Sequence, residues 1–225
     1  MKPSLIGQLY LIPILCWLLA IGAAQSHAAP SSSPRSTGII VAVGDSLTAG
    51  FGVNEEEAYP AQLEKKLRSA GYDWQVVNAG ISGETSSGTL LRVRWVMKLK
   101  PDIVILETGA NDGLRGIDPA VTRKNMDETI RILKQQNVTV VLAGMKMFRN
   151  LGQRYTQGFA ANYPGLAKKH DLILIPFFLQ GVAGIPSLNQ SDGIHPTAEG
   201  YRIITDTIYP YARKAIEGNM RQGKE

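Results

Sequence analysis

The segment GDSLTAG, residues 44–50, follows an apolar run and contains Ser46, whose hydroxyl could act as a nucleophile. A serine hydroxyl becomes nucleophilic when a base removes its proton, and a third group must hold that base in the right tautomer. The later segment QSDGIHPTAEG contains His195 as a candidate base and Asp192 as its candidate partner. A tight turn at Gly193 would fold the carboxylate back toward the ring. These residue types together predict acyl-transfer chemistry.

Acyl transfer also needs hydrogen-bond donors aimed at the oxyanion that develops on the substrate. Gly83, in ISGETS, could offer its backbone N–H because it carries no Cβ, and Asn111, in GAND, could offer its side-chain amide. The backbone N–H of Ser46 would be a third donor. Glycine and asparagine are also common in ordinary turns, so each of these positions taken alone is a weak signal.

Two other interpretations of GDSLTAG stay open from the residues alone. The segment could be an ordinary turn between a strand and a helix. It could also be a glycine loop that binds phosphate at a helix N-terminus, as in a flavodoxin-like binding module. The binding module leaves the pairing of Asp192 with His195 unexplained. The remaining histidine of the mature chain, His170, ends a predicted helix and is predicted to be structural.

The elements that would position these residues alternate along the chain. Five nearly continuous apolar runs, rich in β-branched residues, are typical of strands buried on both faces. They are residues 38–43, 74–79, 102–108, 138–144 and 172–177. With helices between them, they predict an α/β fold of three layers around a five-stranded parallel sheet. Ligands bind at the carboxyl ends of such strands, where Ser46, Gly83 and Asn111 would lie.

The predicted helices are bounded by proline, glycine and capping residues. They cover residues 60–70, 86–99, 119 onward with Asp118 as N-cap, 155–169, and 196 onward with a bend at Pro210. The third of them carries an apolar stripe of Val121, Met126, Ile130 and Leu133, which predicts packing on the core.

The N-terminal region differs from the rest in composition. Residues 1–28 combine Lys2, an apolar run and the small-residue site Ser26-His27-Ala28, which is typical of a secretory signal peptide. A retained membrane anchor is the alternative, although Pro13 interrupts the run. We predict a linker over 29–37, the catalytic domain over 38–217 and a tail over 218–225. The protein is therefore expected to be exported, and so periplasmic or secreted.

The overall composition narrows the function classes. Cys16 is the only cysteine and lies in the predicted leader, so the mature chain should have no disulfide framework, thiolate metal site or cysteine nucleophile. The chain has 24 Lys and Arg against 19 Asp and Glu, and these charges are scattered rather than clustered. This pattern argues against nucleic-acid binding and is compatible with a transient contact to an anionic membrane surface.

Four segments, GDSLTAG, VVNAGISGETS, ETGANDGLRG and DGIHPTAEGY, resemble the SGNH (GDSL) hydrolases in type, order and spacing over about residues 39–215. The resemblance implies that Ser46 is the nucleophile, that Gly83 and Asn111 complete the oxyanion hole, and that Asp192 and His195 complete the triad. It also implies a flavodoxin-like five-stranded sheet and an esterase that uses no metal or cofactor.

Two long joints at the active edge, residues 145–155 and 177–190, mix apolar residues with glycine and suggest an acyl-chain groove. The candidate lining residues are Phe148, Leu151, Phe178, Val182, Ile185 and Leu188. Each of them could instead seat its loop on the core. We expect medium- to long-chain acyl or aryl esters and thioesters as substrates, with lysophospholipids as the natural target. The alternative is a carbohydrate or peptidoglycan O-acetylesterase, for which these loops contain few sugar-stacking residues.

Overall fold

The structure is a computed structural model that describes residues 38–222. The predicted leader and linker, and the last three residues of the predicted tail, lie outside the described residues. Within the described part, parallel strands alternate with helices. The strands are β1 (Gly38–Gly44), β2 (Trp74–Gly80), β3 (Ile103–Glu107), β4 (Thr139–Ala143) and β5 (Ile173–Ile175). The helices are α1 (Ser46–Ala49), α2 (Tyr59–Ser69), α3 (Ser86–Val96), α4 (Ala110–Leu114), α5 (Pro119–Lys134), α6 (Gln153–His170) and α7 (Ala198–Gln222).

The five strands form one sheet in the order β2-β1-β3-β4-β5, and every neighbouring pair is parallel. The predicted fold class is therefore confirmed. The chain moves from β1 outward to β2 and then returns across β1 to β3, so the strand order reverses between β1 and β3. A crevice opens at such a reversal, outside the carboxyl ends of the strands.

The core lies on both faces of the central strands. Ile40, Val41, Ile105 and Val141 are fully buried, which agrees with the continuous apolar runs that predicted these strands. The predicted stripe of α5 is correct at its three later positions and wrong at Val121, which is 48% exposed. Thr122 faces inward instead because its hydroxyl donates to Asp112 Oδ1 at 3.1 Å, and this bond sets the rotation of the first turn.

The last helix begins at Ala198 rather than at the predicted Pro196. Pro196 pairs with Asn189 in a short antiparallel bridge, and the backbone N–H of Gln190 donates to the His195 carbonyl at 2.7 Å. The backbone before Ala198 is therefore committed to this bridge. The helix continues through Pro210 as one element.

The short helices α1 and α4 were not predicted, because neither is long enough to carry an apolar period. Among the helices within residues 38–222, none has both the length and the apolar character needed to cross a bilayer.

Candidate active site

Ser46 is the first residue of α1 and follows the end of β1 after a single intervening residue. That residue, Asp45, caps the helix by accepting the backbone N–H of Leu47 at 3.0 Å. The strand ends in the core and the capped helix starts at once, so the Ser46 side chain lies at the carboxyl edge of the sheet. This is the position that the strand-loop pattern predicted for it.

The side chains of Ser46, His195 and Asp192 form one continuous hydrogen-bonded chain. The Ser46 Oγ lies 2.9 Å from His195 Nε2, and His195 Nδ1 lies 2.7 Å from Asp192 Oδ2. These contacts are those of a nucleophile, a base and an orienting carboxylate. Neither an ordinary turn nor a phosphate-binding loop accounts for a histidine delivered to the serine from a segment so distant in sequence.

The Asp192 carboxylate is fixed by its own loop. Its Oδ1 accepts the backbone N–H groups of Ile194 at 2.8 Å and of His195 at 3.0 Å. The hydrogen bond from the His195 ring, followed by these two backbone bonds, lowers the pKa of Asp192 to about 2. Asp192 is therefore ionised at neutral pH and favours the tautomer of His195 that carries its proton on Nδ1.

Two neighbours of His195 were missed by the sequence analysis. The Phe51 ring packs against the imidazole with centroids 4.6 Å apart. The Gln190 side-chain amide donates to the Phe51 carbonyl at 2.7 Å and to the Pro196 carbonyl at 3.0 Å, which ties the loop after α1 to the loop of the base. The aromatic residue just after GDSLTAG was the only sequence signal, and nothing in the spacing connected it with residue 195.

The three candidate oxyanion donors come from three neighbouring strands. Ser46 follows β1, Gly83 follows β2 and Asn111 lies in α4 after β3. Within residues 38–222, the backbone N–H groups of Ser46 and Gly83 make no backbone hydrogen bond and are free for a ligand. Gly83 has φ +79°, a conformation that favours glycine, and its carbonyl accepts from the Arg115 guanidinium at 2.9 Å. The Asn111 amide donates to Asp45 Oδ2 at 2.9 Å.

A buried aspartate joins the segments that carry Gly83 and Asn111. Asp112 Oδ2 accepts the backbone N–H of Ser86 at 2.7 Å, and Asp112 Oδ1 accepts the Ser86 hydroxyl and the Thr122 hydroxyl. Asp112 is 1% exposed, so these bonds satisfy a carboxylate that has almost no contact with water. The loop after β2 and helix α4 are thereby held at a fixed separation.

An apolar cavity of about 170 Å³ opens beside the triad. Its wall includes the residues next to the nucleophile, next to Asn111 and next to His195, together with side chains from the two long joints. They are Leu47, Ala110, Leu114, Met145, Lys146, Met147, Phe148, Phe177, Leu179, Ala183, Gly184, Asn189, Gly193 and Ile194.

The predicted groove residues divide into three groups. Phe148 lines the cavity, and Ile185 lines an adjoining cleft. Leu151, three residues after Phe148, is exposed, and Leu188 is half-buried against the core. Neither of them lines the cavity.

The prediction was wrong for Phe178 and Val182. Both are fully buried, and the Phe178 ring packs edge-on against Tyr59 at 5.4 Å. Their neighbours line the cavity instead: Phe177 and Leu179 flank Phe178, and Ala183 follows Val182.

Among residues 38–222, no group of three or more His, Cys, Asp or Glu side chains is arranged to hold a metal ion.

Comparison with known proteins identifies the family. The sequence pattern of the GDSL-like Lipase/Acylhydrolase family matches residues 42–203. The chain is 37% identical to Esterase TesA of Pseudomonas aeruginosa over 172 residues, which is 76% of this chain and 86% of that protein. It is 39% identical to Thioesterase 1/protease 1/lysophospholipase L1 of Escherichia coli over 168 residues, which is 74% of this chain and 79% of that protein.

A solved structure agrees with these relatives. The crystal structure of TesA superimposes with a TM-score of 0.76 at 36% identity, covering 79% of this chain and 99% of that one. The matched range contains all four segments in which the nucleophile, the oxyanion donors and the base were predicted. The chain therefore belongs to the GDSL-like lipase/acylhydrolase (SGNH) family and is an esterase.

Proposed function

We propose that this esterase works through a Ser–His–Asp triad and an acyl-serine intermediate. The observation that carries the proposal is the unbroken hydrogen-bonded chain from Asp192 through His195 to Ser46, with 2.7 Å and 2.9 Å contacts. The low pKa of Asp192, about 2, keeps the orienting carboxylate charged at the pH at which the reaction would run. Charge on Asp192 stabilises the imidazolium that forms when His195 accepts a proton.

The reaction proceeds in two halves. In the first, His195 Nε2 takes the proton of Ser46 Oγ as this oxygen bonds to the acyl carbon. The oxyanion that forms is bound by the free N–H groups of Ser46 and Gly83 and by the Asn111 amide. Collapse breaks the bond to the alcohol or thiol, which leaves with the proton from His195. In the second half, His195 takes a proton from the water that attacks the acyl-Ser46 ester, and it returns this proton to Ser46 Oγ as the carboxylic acid leaves.

The substrate class follows from the apolar cavity beside Ser46. A chain entering between Phe148, Phe177 and Leu179 would leave water for an apolar wall. Each methylene buried in this way contributes about 0.8 kcal/mol, so kcat/KM should rise roughly fourfold per added methylene until the cavity is full. We therefore propose acyl and aryl esters and thioesters of medium or greater chain length as substrates.

The experiment is a series of p-nitrophenyl esters from acetate to palmitate, with the wild type, Ser46→Ala and Ala183→Trp. Ser46→Ala should abolish turnover and labelling by a fluorophosphonate. Ala183 lines the cavity, so the tryptophan should block long chains and spare acetate. Ala161→Trp is the matched control, since Ala161 is an exposed residue of α6 that does not line the cavity.

Two results would contradict this proposal. Unchanged turnover in Ser46→Ala would remove the acyl-serine mechanism. A maximum at acetate with no effect of Ala183→Trp would remove the groove and favour an O-acetylesterase of carbohydrates or peptidoglycan.

We also propose that the joint after β4 touches an anionic lipid surface while the enzyme acts on lysophospholipids. Phe148 and Leu151 are exposed in this joint, and Lys146 and Arg149 accompany them. Apolar side chains beside basic ones suit an interface with acidic headgroups. Sedimentation with anionic vesicles should exceed that with zwitterionic vesicles, and Lys146→Glu with Arg149→Glu should abolish the difference. Equal sedimentation with both vesicle types would refute the contact.

Export is proposed from residues 1–28 alone. Cell fractionation should recover the esterase outside the cytoplasm, with a new N-terminus after Ala28. A full-length product bound to the membrane would favour the anchor instead.

A further inference from the structure

Two carboxyl groups are buried side by side beneath the nucleophile. Glu107, the last residue of β3, is 0% exposed, and Asp45 is 1% exposed. The Glu107 carboxyl accepts the backbone N–H of Asp45 at 3.1 Å, so the two acids are direct neighbours. Within the described residues, no Lys, Arg or His side chain forms an ion pair with either of them. A buried carboxylate pair without a cation is unusual, because burial penalises each charge and the charges repel each other.

Burial without a cation and mutual repulsion both favour a proton on the pair. Burial raises the pKa of Glu107 well above its usual range, and the charge on Asp45 raises it further. Burial raises the pKa of Asp45 as well, but hydrogen bonds from Leu47, Glu107 and Asn111 act in the opposite direction. The Leu47 N–H and the Asn111 amide donate to the Asp45 carboxylate, which favours the charge on Asp45 and the proton on Glu107.

The phenols that face the pair add no charge, and the Arg92 guanidinium, which donates to the Gly44 carbonyl at 3.4 Å, is paired with Glu84. The phenols of Tyr59, Tyr163 and Tyr201 face the two carboxyls, and burial raises the pKa of each phenol above its usual value. All three phenols are therefore neutral wherever the enzyme would be active. His195 faces Asp45 from the site above.

The contacts of Glu107 fit a neutral acid. Its Oε2 accepts the Asp45 backbone N–H at 3.1 Å and the Thr48 hydroxyl at 3.0 Å, whereas no N–H or hydroxyl within residues 38–222 donates to its Oε1. The Glu107 side chain packs so closely on the backbone of Gly44 that this position requires glycine. A Cβ there would collide with the Glu107 carboxyl and the Thr48 hydroxyl. The turn that presents Ser46 is thus built directly on the Glu107 side chain.

Asp45 transmits this arrangement to the oxyanion hole. Its Oδ2 accepts one N–H of the Asn111 amide at 2.9 Å, which leaves the second N–H for a substrate oxygen. A flipped amide would set the Asn111 oxygen against the Asp45 carboxylate, so the negative charge also fixes which end of the amide faces the substrate.

We propose that Glu107 is a positioning residue for ester hydrolysis: as a neutral acid it donates to Asp45, and the Asp45 anion holds the Asn111 amide toward the oxyanion. This inference rests on the proposed function, because it takes Asn111 to be an oxyanion donor. It goes further in assigning a protonation state and a role to a strand residue that contacts neither substrate nor triad. A single negative charge beneath the site also repels the oxyanion less than two ionised carboxylates would.

A double-mutant cycle with Asn111→Ala and Glu107→Met tests the coupling. Loss of an oxyanion donor lowers kcat rather than raising KM, because the oxyanion exists only in the transition state. Asn111→Ala should lower kcat by about 10²-fold or more, and Glu107→Met by about tenfold or more, at unchanged KM. In the Asn111→Ala background, Glu107→Met should cost little, because the donor that Glu107 positions is gone. Glu107→Gln should remain close to wild type, since its amide can still donate to Asp45 and accept from Thr48.

The outcomes separate this inference from the proposed function. An Asn111→Ala enzyme with wild-type kcat overturns the oxyanion assignment itself. Two results would overturn only the positioning role, provided that Asn111→Ala is impaired. One is a Glu107→Met single variant with wild-type kcat, and the other is a double variant in which the two losses in kcat multiply fully.

Infrared spectroscopy covers the case in which Glu107→Met does not fold. At pH 7 the wild type should have the C=O stretch of a protonated carboxylic acid, and Glu107→Gln should lack it. Glu64→Gln, at a carboxylate that accepts the Val76 backbone N–H at 2.7 Å, is the matched control and should keep the band. A wild type without this band overturns the inference.

Discussion

The described chain contains two histidines, and each of them is paired with an aspartate. His195 Nδ1 lies 2.7 Å from Asp192, and His170 Nε2 lies 2.5 Å from Asp127. The two imidazoles are equally exposed, at 17% and 16%, so burial does not distinguish them. What distinguishes them is the other ring nitrogen. In His195 it faces the Ser46 hydroxyl, whereas in His170 it makes no hydrogen bond within residues 38–222.

The two aspartates also differ in the number of side chains that donate hydrogen bonds to them. Burial acts to raise the pKa of Asp127, but hydrogen bonds from Lys169 and then from His170 outweigh it, and the pKa lies below its usual value. Asp127 is thus shared between two side chains at the end of α6. Within the described part of the chain, the only side chain that donates to Asp192 is His195, and the other donors are N–H groups of its own loop. A histidine–carboxylate contact is therefore weak evidence of catalysis until the partner of the second nitrogen is known.

The largest contrast should come from removing each ring. His195→Ala should lower kcat by about 10⁴-fold or more, because neither step would retain a base. His170→Ala should leave kcat unchanged, because His170 lies at the opposite edge of the sheet. Initial rates on one p-nitrophenyl ester measure both, and a comparable loss in the two variants would contradict the distinction.

Replacing each aspartate should give a smaller contrast. Asp192→Asn removes the acceptor that holds the His195 tautomer and should lower kcat by about 10² to 10⁴-fold. The lower bound applies if water reaches the ring, since the Asp192 side chain is 40% exposed. Asp127→Asn should not alter kcat, and an Asp192→Asn enzyme with full activity would contradict the orienting role.

Acid stability should reveal both pairs at once. The pKa of each aspartate is lower in the folded chain than the usual value of about 3.9, so each pair stabilises the fold above that pH. For Asp192 this contribution is lost as the pH falls toward about 2. Urea midpoints between pH 5 and 2 should therefore fall less steeply in Asp192→Asn and in Asp127→Asn than in the wild type. Parallel curves for all three proteins would contradict the pairing.

The smallest expected effect concerns Phe51, the aromatic neighbour of His195. Phe51 packs on His195, and within residues 38–222 no aromatic ring packs on His170. Ring pairs contribute about 0.5–1.5 kcal/mol, so Phe51→Ala should lower kcat/KM by roughly two- to tenfold. Phe51→Tyr keeps the ring and should restore activity. Equal activity in the alanine and tyrosine variants would contradict a role for the ring.

The sequence predicted the sheet, and it singled out the three residues proposed as the triad, because both leave local signals. Continuous β-branched runs mark strands buried on two faces, and they located all five strands to within two residues at each end. The strand-loop rule then brought Ser46, Gly83 and Asn111 to one edge without any knowledge of distances. The same rule distinguished His170 from His195, because His170 ends the helix before β5 and so lies at the amino-terminal edge of the sheet, opposite Ser46.

The remaining features depend on contacts that local patterns do not encode. Glu107 was treated as part of a buried strand, because a single charged residue at a strand end does not reveal that it is buried and protonated. Phe178 and Val182 are apolar residues in a loop, and only the folded chain determines whether such residues face a cavity or the core. The prediction that Val121 packs on the core was wrong because the hydrogen bond of Thr122 to Asp112, rather than the apolar period, sets the rotation of the first turn of α5.

His195, the proposed base, lies 149 positions further along the chain than Ser46, the proposed nucleophile. During synthesis, a ribosome-bound chain that ends before the Asp192 loop already contains its serine and its oxyanion donors but has nothing to accept the proton. With the proposed triad, ester cleavage is withheld until the loop of Asp192 and His195 has docked beside Ser46. The onset of turnover would therefore report completed folding in a refolding experiment, with no added label.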